Sequence, residues 1–309
     1  MWLWIVRRLA RLTLAVWLIV SIAFLLVYAL PGDPARLVLG QRASAETLEQ
    51  FRSAAGLDQP FVHQYARFLE RSIQLDFGES LVQRRPVRDL IAERSQDTLT
   101  LAFVAMVLVF VFAFVLPVVA AVWYPTKTPQ GMSRLWGAFA AMPPYVLAVV
   151  LLMLFGAALR WVPMLFNPDS PLSWLLPALV LATYPISIVL KLFQQELALA
   201  PAQLYAIRAR AYGFSPREIL ITETLPNVLT PSLAAFANSL AFFVTGTFFV
   251  EVVFGITGLG GLTYEAIRNK DLPLLVGLCV VFAVAVTFIS VFLELAITII
   301  NPHLRQRHA

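Results

Sequence analysis

Few residues in this chain are placed to do bond-making chemistry. Two acids, Glu251 and Glu294, sit inside long apolar runs, whereas the three histidines, His63, His303 and His308, lie outside them. There is no H-E-x-x-H, no G-x-S-x-G and no G-x-x-x-x-G-K-[ST], so metalloprotease, serine-hydrolase and phosphate-loop chemistry have no foothold. The single cysteine, Cys279, falls in an apolar run and reads as a packing residue, since one thiol makes neither an internal disulfide nor a thiolate cluster. No catalytic residue and no metal site is expected. The glycine-rich stretch from Gly255 to Gly261 follows an apolar run and reads as a re-entrant or interfacial turn. An ionisable group at membrane depth costs about 2.5–3.5 kcal/mol on insertion scales, which makes Glu251 and Glu294 functional candidates. Glu251 lies three residues before the end of its run, where hydration, a pair with a neighbouring helix and substrate contact explain it equally. Glu294 is expected to meet a partner inside the bundle. Tyr184, Asn238, Ser239, Thr245 and Thr247 are the other polar positions in two of the runs. They suit the wall of a path for a hydrogen-bonding solute, and equally helix–helix hydrogen bonds.

The most informative stretch is Pro201 to Asn227, PAQLYAIRARAYGFSPREILITETLPN. Pro201 suits the first turn of a helix. Leu204, Tyr205, Ile207, Ala211 and Tyr212 give that helix an apolar side, with Arg208 and Arg210 elsewhere. Gly213 stands where a helix end calls for a positive φ. Ser215-Pro216-Arg217-Glu218 then reads as an N-cap, a proline in the first position and a glutamate in the third, the pattern of a capping box. A helix, a glycine elbow and a second helix follow from these residues. On local chemistry such a pair either lies on lipid headgroups or docks on another protein.

The elements around these residues are set by composition. Of 309 residues 60% are hydrophobic and 13% charged, and mean hydropathy is +0.78. Soluble domains hold about 25% charged residues, so lipid is the main solvent here. The net charge of +5 comes without a dense basic patch interleaved with aromatics, which excludes nucleic-acid binding. Runs at about 9–30, 98–124, 136–159, 172–193, 227–254 and 273–300 are long enough, or nearly so, to cross a bilayer. Pro143, Pro144, Pro177 and Pro185 within them are tolerable in a bundle of several helices. The first run is apolar from Leu12 to Leu30, longer than a signal-peptide core and without a clear A-x-A site, so it reads as a retained span. Arg7, Arg8, Arg11, Lys127, Arg134, Lys191, Arg208, Arg210, Arg217, Arg305 and Arg307 gather on one side. Only Arg160, Arg268 and Lys270 fall in the short loops of the other, which places both termini in the cytoplasm. The expected fold is an all-α membrane protein of six transmembrane helices in a single domain, 1–309. Residues 31–96 form an extracytoplasmic segment with amphipathic helices near 44–55 and 60–74. Residues 97–300 form the core bundle of five helices, and a cytoplasmic loop, 197–226, joins helices four and five.

That loop resembles the coupling motif of binding-protein-dependent ATP-binding-cassette (ABC) permeases, whose pattern is E-A-A, three residues, G, nine residues, then I-x-L-P. In the dipeptide, oligopeptide and nickel branch it usually appears as D-Y-V-R-T-A-R-A-K-G-L. The stretch Leu204 to Phe214 matches at Tyr205, Ala209, Arg210, Ala211 and Gly213, and Leu225-Pro226 holds the Leu-Pro spacing. It departs at Leu204, where the family has an acid, and at Arg208, where it has a threonine; Glu196 or Glu218 is available to replace the acid. Arg7-Arg8, Pro31-Gly32-Asp33-Pro34, Gly56-Leu57-Asp58-Gln59-Pro60, Gln64-Tyr65, Asp76-Phe77-Gly78-Glu79-Ser80, Arg85-Pro86-Val87 and Thr98-Leu99 are similar to the branch's signatures. So are Met142-Pro143-Pro144, Phe249 to Phe254 with Gly258-Leu259-Gly260, and Asn301-Pro302-His303. The resemblance covers nearly the whole chain and is to the B-type subunit of the pair.

The resemblance implies a multi-pass permease subunit of an ATP-driven importer of di- or oligopeptides in the bacterial cytoplasmic (inner) membrane, with no ATPase site of its own. Its implied partners are a second, homologous permease subunit, two ATP-binding cassette ATPases that bind the ATP and Mg, an extracytoplasmic solute-binding protein, and the lipid bilayer. Tyr205, Ala209, Arg210, Ala211, Gly213 and Glu218 are the implied coupling residues; Tyr184, Asn238, Thr245 and Glu251 are candidates for the substrate pathway. Nickel or another small solute is the alternative cargo. An ion-gradient carrier is the alternative mechanism, but no internal repeat supports it.

Overall fold

The computed structural model describes residues 2–29, 35–36, 43–55, 58–123 and 130–300. The turn at Pro31–Pro34, the pair Gly56-Leu57, Lys127, the end at Asn301-Pro302-His303 and the side chain of Glu294 lie outside the described residues. Among them there is no β-strand, and the elements are helices: α1 (Trp2–Ala29), α2 (Ala45–Ala55), α3 (Phe61–Ile73), α4 (Val87–Phe110), α5 (Leu116–Trp123), α6 (Gln130–Ala140), α7 (Pro144–Leu151), α8 (Pro171–Leu199), α9 (Leu204–Ala211), α10 (Pro216–Ile219), α11 (Leu225–Phe254), α12 (Leu259–Asn269) and α13 (Leu272–Ile300). Wide π-helical turns join α4 to α5, extend α7 and lead from α10 into α11. The helices near 44–55 and 60–74 form as α2 and α3.

Four helical stretches are long and apolar enough to cross a membrane: Val87–Trp123, Pro171–Ala202, Pro216–Leu240 and Leu272–Val291. Two bent pairs bring the number to six when each is one span. One is α6 with the α7 stretch, bent by 105°; the other is the end of α11 with α12, bent by 74°. Of the first apolar run, Thr13–Ile22 forms a shorter apolar helix within α1. The third run is therefore not a continuous helix from 136 to 159. Met142-Pro143-Pro144 interrupts it because Pro143 has no N–H to continue the ladder and takes an extended ψ of 138°, and Pro144 starts α7 afresh. Pro177 and Pro185 do stay inside α8, as Pro231 does inside α11.

The chain divides into two compact units. In the first (1–94 and 262–288), α1 and α3 meet through Phe24, Tyr28, Phe61, Tyr65 and Phe68. A 2.5 Å hydrogen bond joins the Ser21 and Tyr65 hydroxyls. Buried Asp271 accepts from the Ser80 hydroxyl (2.5 Å) and from the N–H groups of Leu81 (3.1 Å), Val82 (3.4 Å) and Leu274 (3.4 Å). One carboxyl group thus caps α13 and holds the turn between α3 and α4. In the second unit (95–261 and 289–309), α8 is the central element. Its buried face, with Leu181, Ile186, Val189 and Leu190, packs in one core with Leu101, Ala105 and Val109 of α4 and Phe243 and Val250 of α11. Gly246 lets α11 approach α8 closely: a Cβ there would stand 2.8 Å from Leu181 Cδ1.

Candidate functional site

Three features of the second unit bear on function. The first is the elbow between α9 and α10. The helix begins at Leu204, not at Pro201. Pro201 lies in a 3₁₀ turn, Ala200–Ala202, that continues α8, and the Arg210 guanidinium donates to the Pro201 carbonyl. At the far end Gly213 takes φ +83°. Its N–H donates to the Arg210 carbonyl (3.0 Å) and the Phe214 N–H to that of Ala209 (3.2 Å), which closes α9 with a Schellman motif. Ser215 and Glu218 then form the capping box on both sides: Glu218 N–H to Ser215 Oγ at 3.4 Å, and Ser215 N–H to Glu218 Oε2 at 2.8 Å. The Ser215 hydroxyl, then its backbone N–H, hold the Glu218 carboxyl below the usual carboxylate range.

Most residues of the matched motif are spent on the elbow itself. Ala206 and Ala209 pack with Ile219 in a small core, with Tyr205 against it. Burial raises the Tyr205 phenol above its ordinary value, and Glu196 and Glu223 push the same way, while a hydrogen bond with Thr224 opposes them. Glu218 is spent on the cap. Ala211 and Gly213 are exposed. What the elbow presents outward is different: Leu204 (83% exposed), Ile207, Tyr212 (78%) and Phe214, with the exposed cations Arg208 and Arg217. The apolar side read from the sequence therefore points largely away from the chain, and Tyr205 alone of that set turns inward.

The second feature is a knot around Glu251, whose side chain is fully enclosed. Its Oε1 accepts from the Thr98 hydroxyl of α4 (2.7 Å), and its Oε2 from the N–H groups of Gly260 (2.7 Å) and Gly261 (3.1 Å) at the start of α12. Thr98 Oγ1 in turn accepts the Leu259 N–H at 2.8 Å. Gly255, at φ +70°, ends α11 and lets the chain turn back. Glycine is needed here for space as well. A Cβ on Gly260 would stand 2.6 Å from Phe248 Cα and 3.0 Å from Glu251 Oε2. Glu251 thus ties α4, α11 and α12 together with every hydrogen bond made inside the chain. Thr98 was not singled out from the sequence as a partner, nor was Asp271 in the first unit. An Asp just before Leu272-Pro273 is a readable N-cap signal, whereas nothing local marks Thr98.

The third feature is a pair of stripes on α8 and α11. Tyr184 is 42% exposed and its ring lies 4.6 Å from that of Phe242; Asn238 and Thr245 are exposed on the same side of α11. Ser239 and Thr247 face inward, bonded to carbonyls one turn back. Tyr184, Asn238 and Thr245 are therefore brought together, and Glu251 is held apart from them in its knot.

Apolar spans, polar stripes and a compact helical elbow define a polytopic helical membrane protein built to work with other proteins. Residues 113–306 match the family described as binding-protein-dependent transport system inner membrane component, and residues 1–102 match the N-terminal region of such membrane components. The chain is 30% identical over 305 residues to the glutathione transport system permease protein GsiC of Escherichia coli (strain K12), covering 98% of this chain and 99% of that protein. The GsiC proteins of Shigella dysenteriae serotype 1 (strain Sd197) and Shigella flexneri serotype 5b (strain 8401) match to the same extent. The chain belongs to the family of binding-protein-dependent transport system inner membrane components. It is the permease part of an ABC importer, lies in the inner membrane, and serves a system that includes a solute-binding protein and ATPase subunits.

Proposed function

We propose that the chain is one of two homologous permease subunits that import small peptides, with both termini and the loop 197–226 in the cytoplasm and segment 31–96 outside. The observation that carries the coupling assignment is the outward face of the elbow. Large apolar side chains at Leu204, Ile207, Tyr212 and Phe214 stand exposed on a segment whose fold is closed by its own caps. A rigid apolar knob rimmed by Arg208 and Arg217 suits a groove on an ATPase that is apolar at its floor and acidic at its edge. ATP binds and is hydrolysed in those partner subunits, and closure of the two ATPases moves the elbow as a lever. Tyr205, Ala209, Arg210, Gly213 and Glu218 keep its shape, with Ala211 on its surface. The polar stripe of Tyr184, Asn238 and Thr245 lines the substrate path, and Glu251 keeps the bent pair α11–α12 in place beside it. Glutathione transport by the GsiC relatives supports a peptide-like cargo; nickel or another small solute is the second reading, favoured by nothing in the geometry.

Tyr212→Asp and Leu204→Asp, each in the assembled importer, test the coupling face. Both should lower retention of the ATPase subunits in pull-downs at least tenfold while the permease still inserts. Undiminished retention in both variants would remove the elbow from the interface.

A further inference from the structure

α8 is the most enclosed of the membrane-capable helices: 61% of its most apolar window is buried, against 28–33% for the others. Between Leu176 and Leu197 it leaves exposed only a narrow line, Tyr184, Ile188, Lys191 and Gln195, spaced i, i+4, i+7 and i+11. Its other exposed residues, among them Leu172, Leu175 and Leu199, lie toward its two ends. At 3.6 residues per turn these four fall within a sector of about 60°. α11 carries a line of the same spacing: Asn238, Phe242, Thr245 and Phe249. The Tyr184–Phe242 ring contact and the Leu181–Gly246 approach set the two helices antiparallel and in register. That register puts Ile188 beside Asn238, and Lys191 less than one turn further along. Lys191 makes no ion pair among the described residues and is exposed. Neither line contains an acid. Glu196 lies about 100° off the α8 line, near Tyr205, and Glu251 is closed in its knot.

Five of the eight residues of the two lines, Tyr184, Lys191, Gln195, Asn238 and Thr245, are polar or charged, beside Ile188, Phe242 and Phe249. An exposed lysine, asparagine and glutamine make a poor surface for lipid and a better one for water. We infer that Lys191 is a charge-selecting residue of the substrate path: its ammonium, with the Asn238 amide about a turn away, favours passage of solutes bearing carboxylates over cationic ones. This rests on the proposal that the stripe faces the path. It adds which substrates the path prefers. Free metal cations are then the disfavoured cargo, and peptides with free carboxylates the favoured one.

The test needs no knowledge of the natural substrate. Cysteine is placed at Tyr184 or, as a second site, at Asn238, with Cys279→Ser as background, in the whole importer in nanodiscs at low salt. Reaction rates are measured with an anionic and a cationic methanethiosulfonate of similar size. Tyr184 is about 10 Å along α8 from Lys191. One charge at that distance in water changes each rate about twofold in opposite senses, so the anion-to-cation ratio should fall about fourfold on Lys191→Met. It should fall further on Lys191→Glu and be kept by Lys191→Arg. A ratio unmoved by these changes at both sites overturns the inference and leaves the path assignment standing. Thiols at both sites that react with neither reagent in any ATP state would show that the stripe meets protein or lipid, and both would fall.

Discussion

Replacing Thr98 by valine should loosen the Glu251 knot more than its size suggests. Valine keeps the shape of threonine and removes one hydroxyl. That hydroxyl donates to Glu251 Oε1 at 2.7 Å and accepts the Leu259 N–H at 2.8 Å, in a place where Thr98 is 9% exposed and Glu251 fully enclosed. A hydrogen bond contributes about 0.5–1.5 kcal/mol, and about 1.5–3 when one partner is charged, so the two together are worth about 2–4.5 kcal/mol. Both groups are buried, so bulk water is a poor replacement for these bonds. Thr98→Ser restores the hydroxyl at the cost of one methyl group and should recover at least half of the loss. The measurement is reversible unfolding of the permease in mixed micelles, comparing wild type, Thr98→Val and Thr98→Ser. A loss below about 1 kcal/mol in Thr98→Val, or the same loss in both variants, would refute the claim that these two bonds hold α4, α11 and α12 together.

Gly260→Ala should destabilise the same knot by about 1–3 kcal/mol in that assay, because its new Cβ meets the Phe248 backbone, which cannot rotate away. Gly213→Val places a β-branched residue at φ +83° and should separate ATP hydrolysis from transport in reconstituted importer; normal transport would mean that Gly213 is not the joint. The Glu218 carboxyl lies below its unfolded value, so its contribution to the elbow is complete above about pH 4.3 and is lost as pH falls through the lower folded value. Amide exchange should therefore show α10 protected at pH 5 to 7 and less so in stronger acid. Ser215→Ala, which removes the hydroxyl but keeps the backbone N–H that also donates to Glu218, should weaken that pH dependence. Asp271→Ala removes the acceptor for Ser80, Leu81 and Val82 and should make that turn cleavable under limited proteolysis that leaves wild type intact.

How far the sequence could be read depended on whether an interaction was local. The Gly213 stop and the Ser215–Glu218 cap are made by residues at most five apart, and both form as spacing and residue type require. The amphipathic helices α2 and α3 were legible for the same reason. Pro143-Pro144 was misread as a tolerable interruption because two adjacent prolines act as a helix start, while single prolines inside α8 and α11 do not. The start of α9 was misplaced because Pro201 belongs to the last turn of the helix before it. The Thr98–Glu251 bond joins positions 153 apart, and the Ser80–Asp271 bond positions 191 apart. No pattern of period 3.6 carries such pairings, and they emerge only from packing. The matched motif was visible residue by residue. Which of its residues turn inward became clear only once Ala206 and Ala209 were seen against Ile219.

The central claim is that this chain conducts a small peptide-like solute only when ATPase subunits and a binding protein drive it. The direct test is uptake into proteoliposomes holding this chain, its partner permease and the ATPases, with the binding protein and labelled glutathione or a mixed dipeptide pool outside. Uptake that requires ATP, stops without the binding protein and is insensitive to collapse of ion gradients is the predicted result. Uptake sustained by a proton or sodium gradient with the ATPases omitted would contradict it.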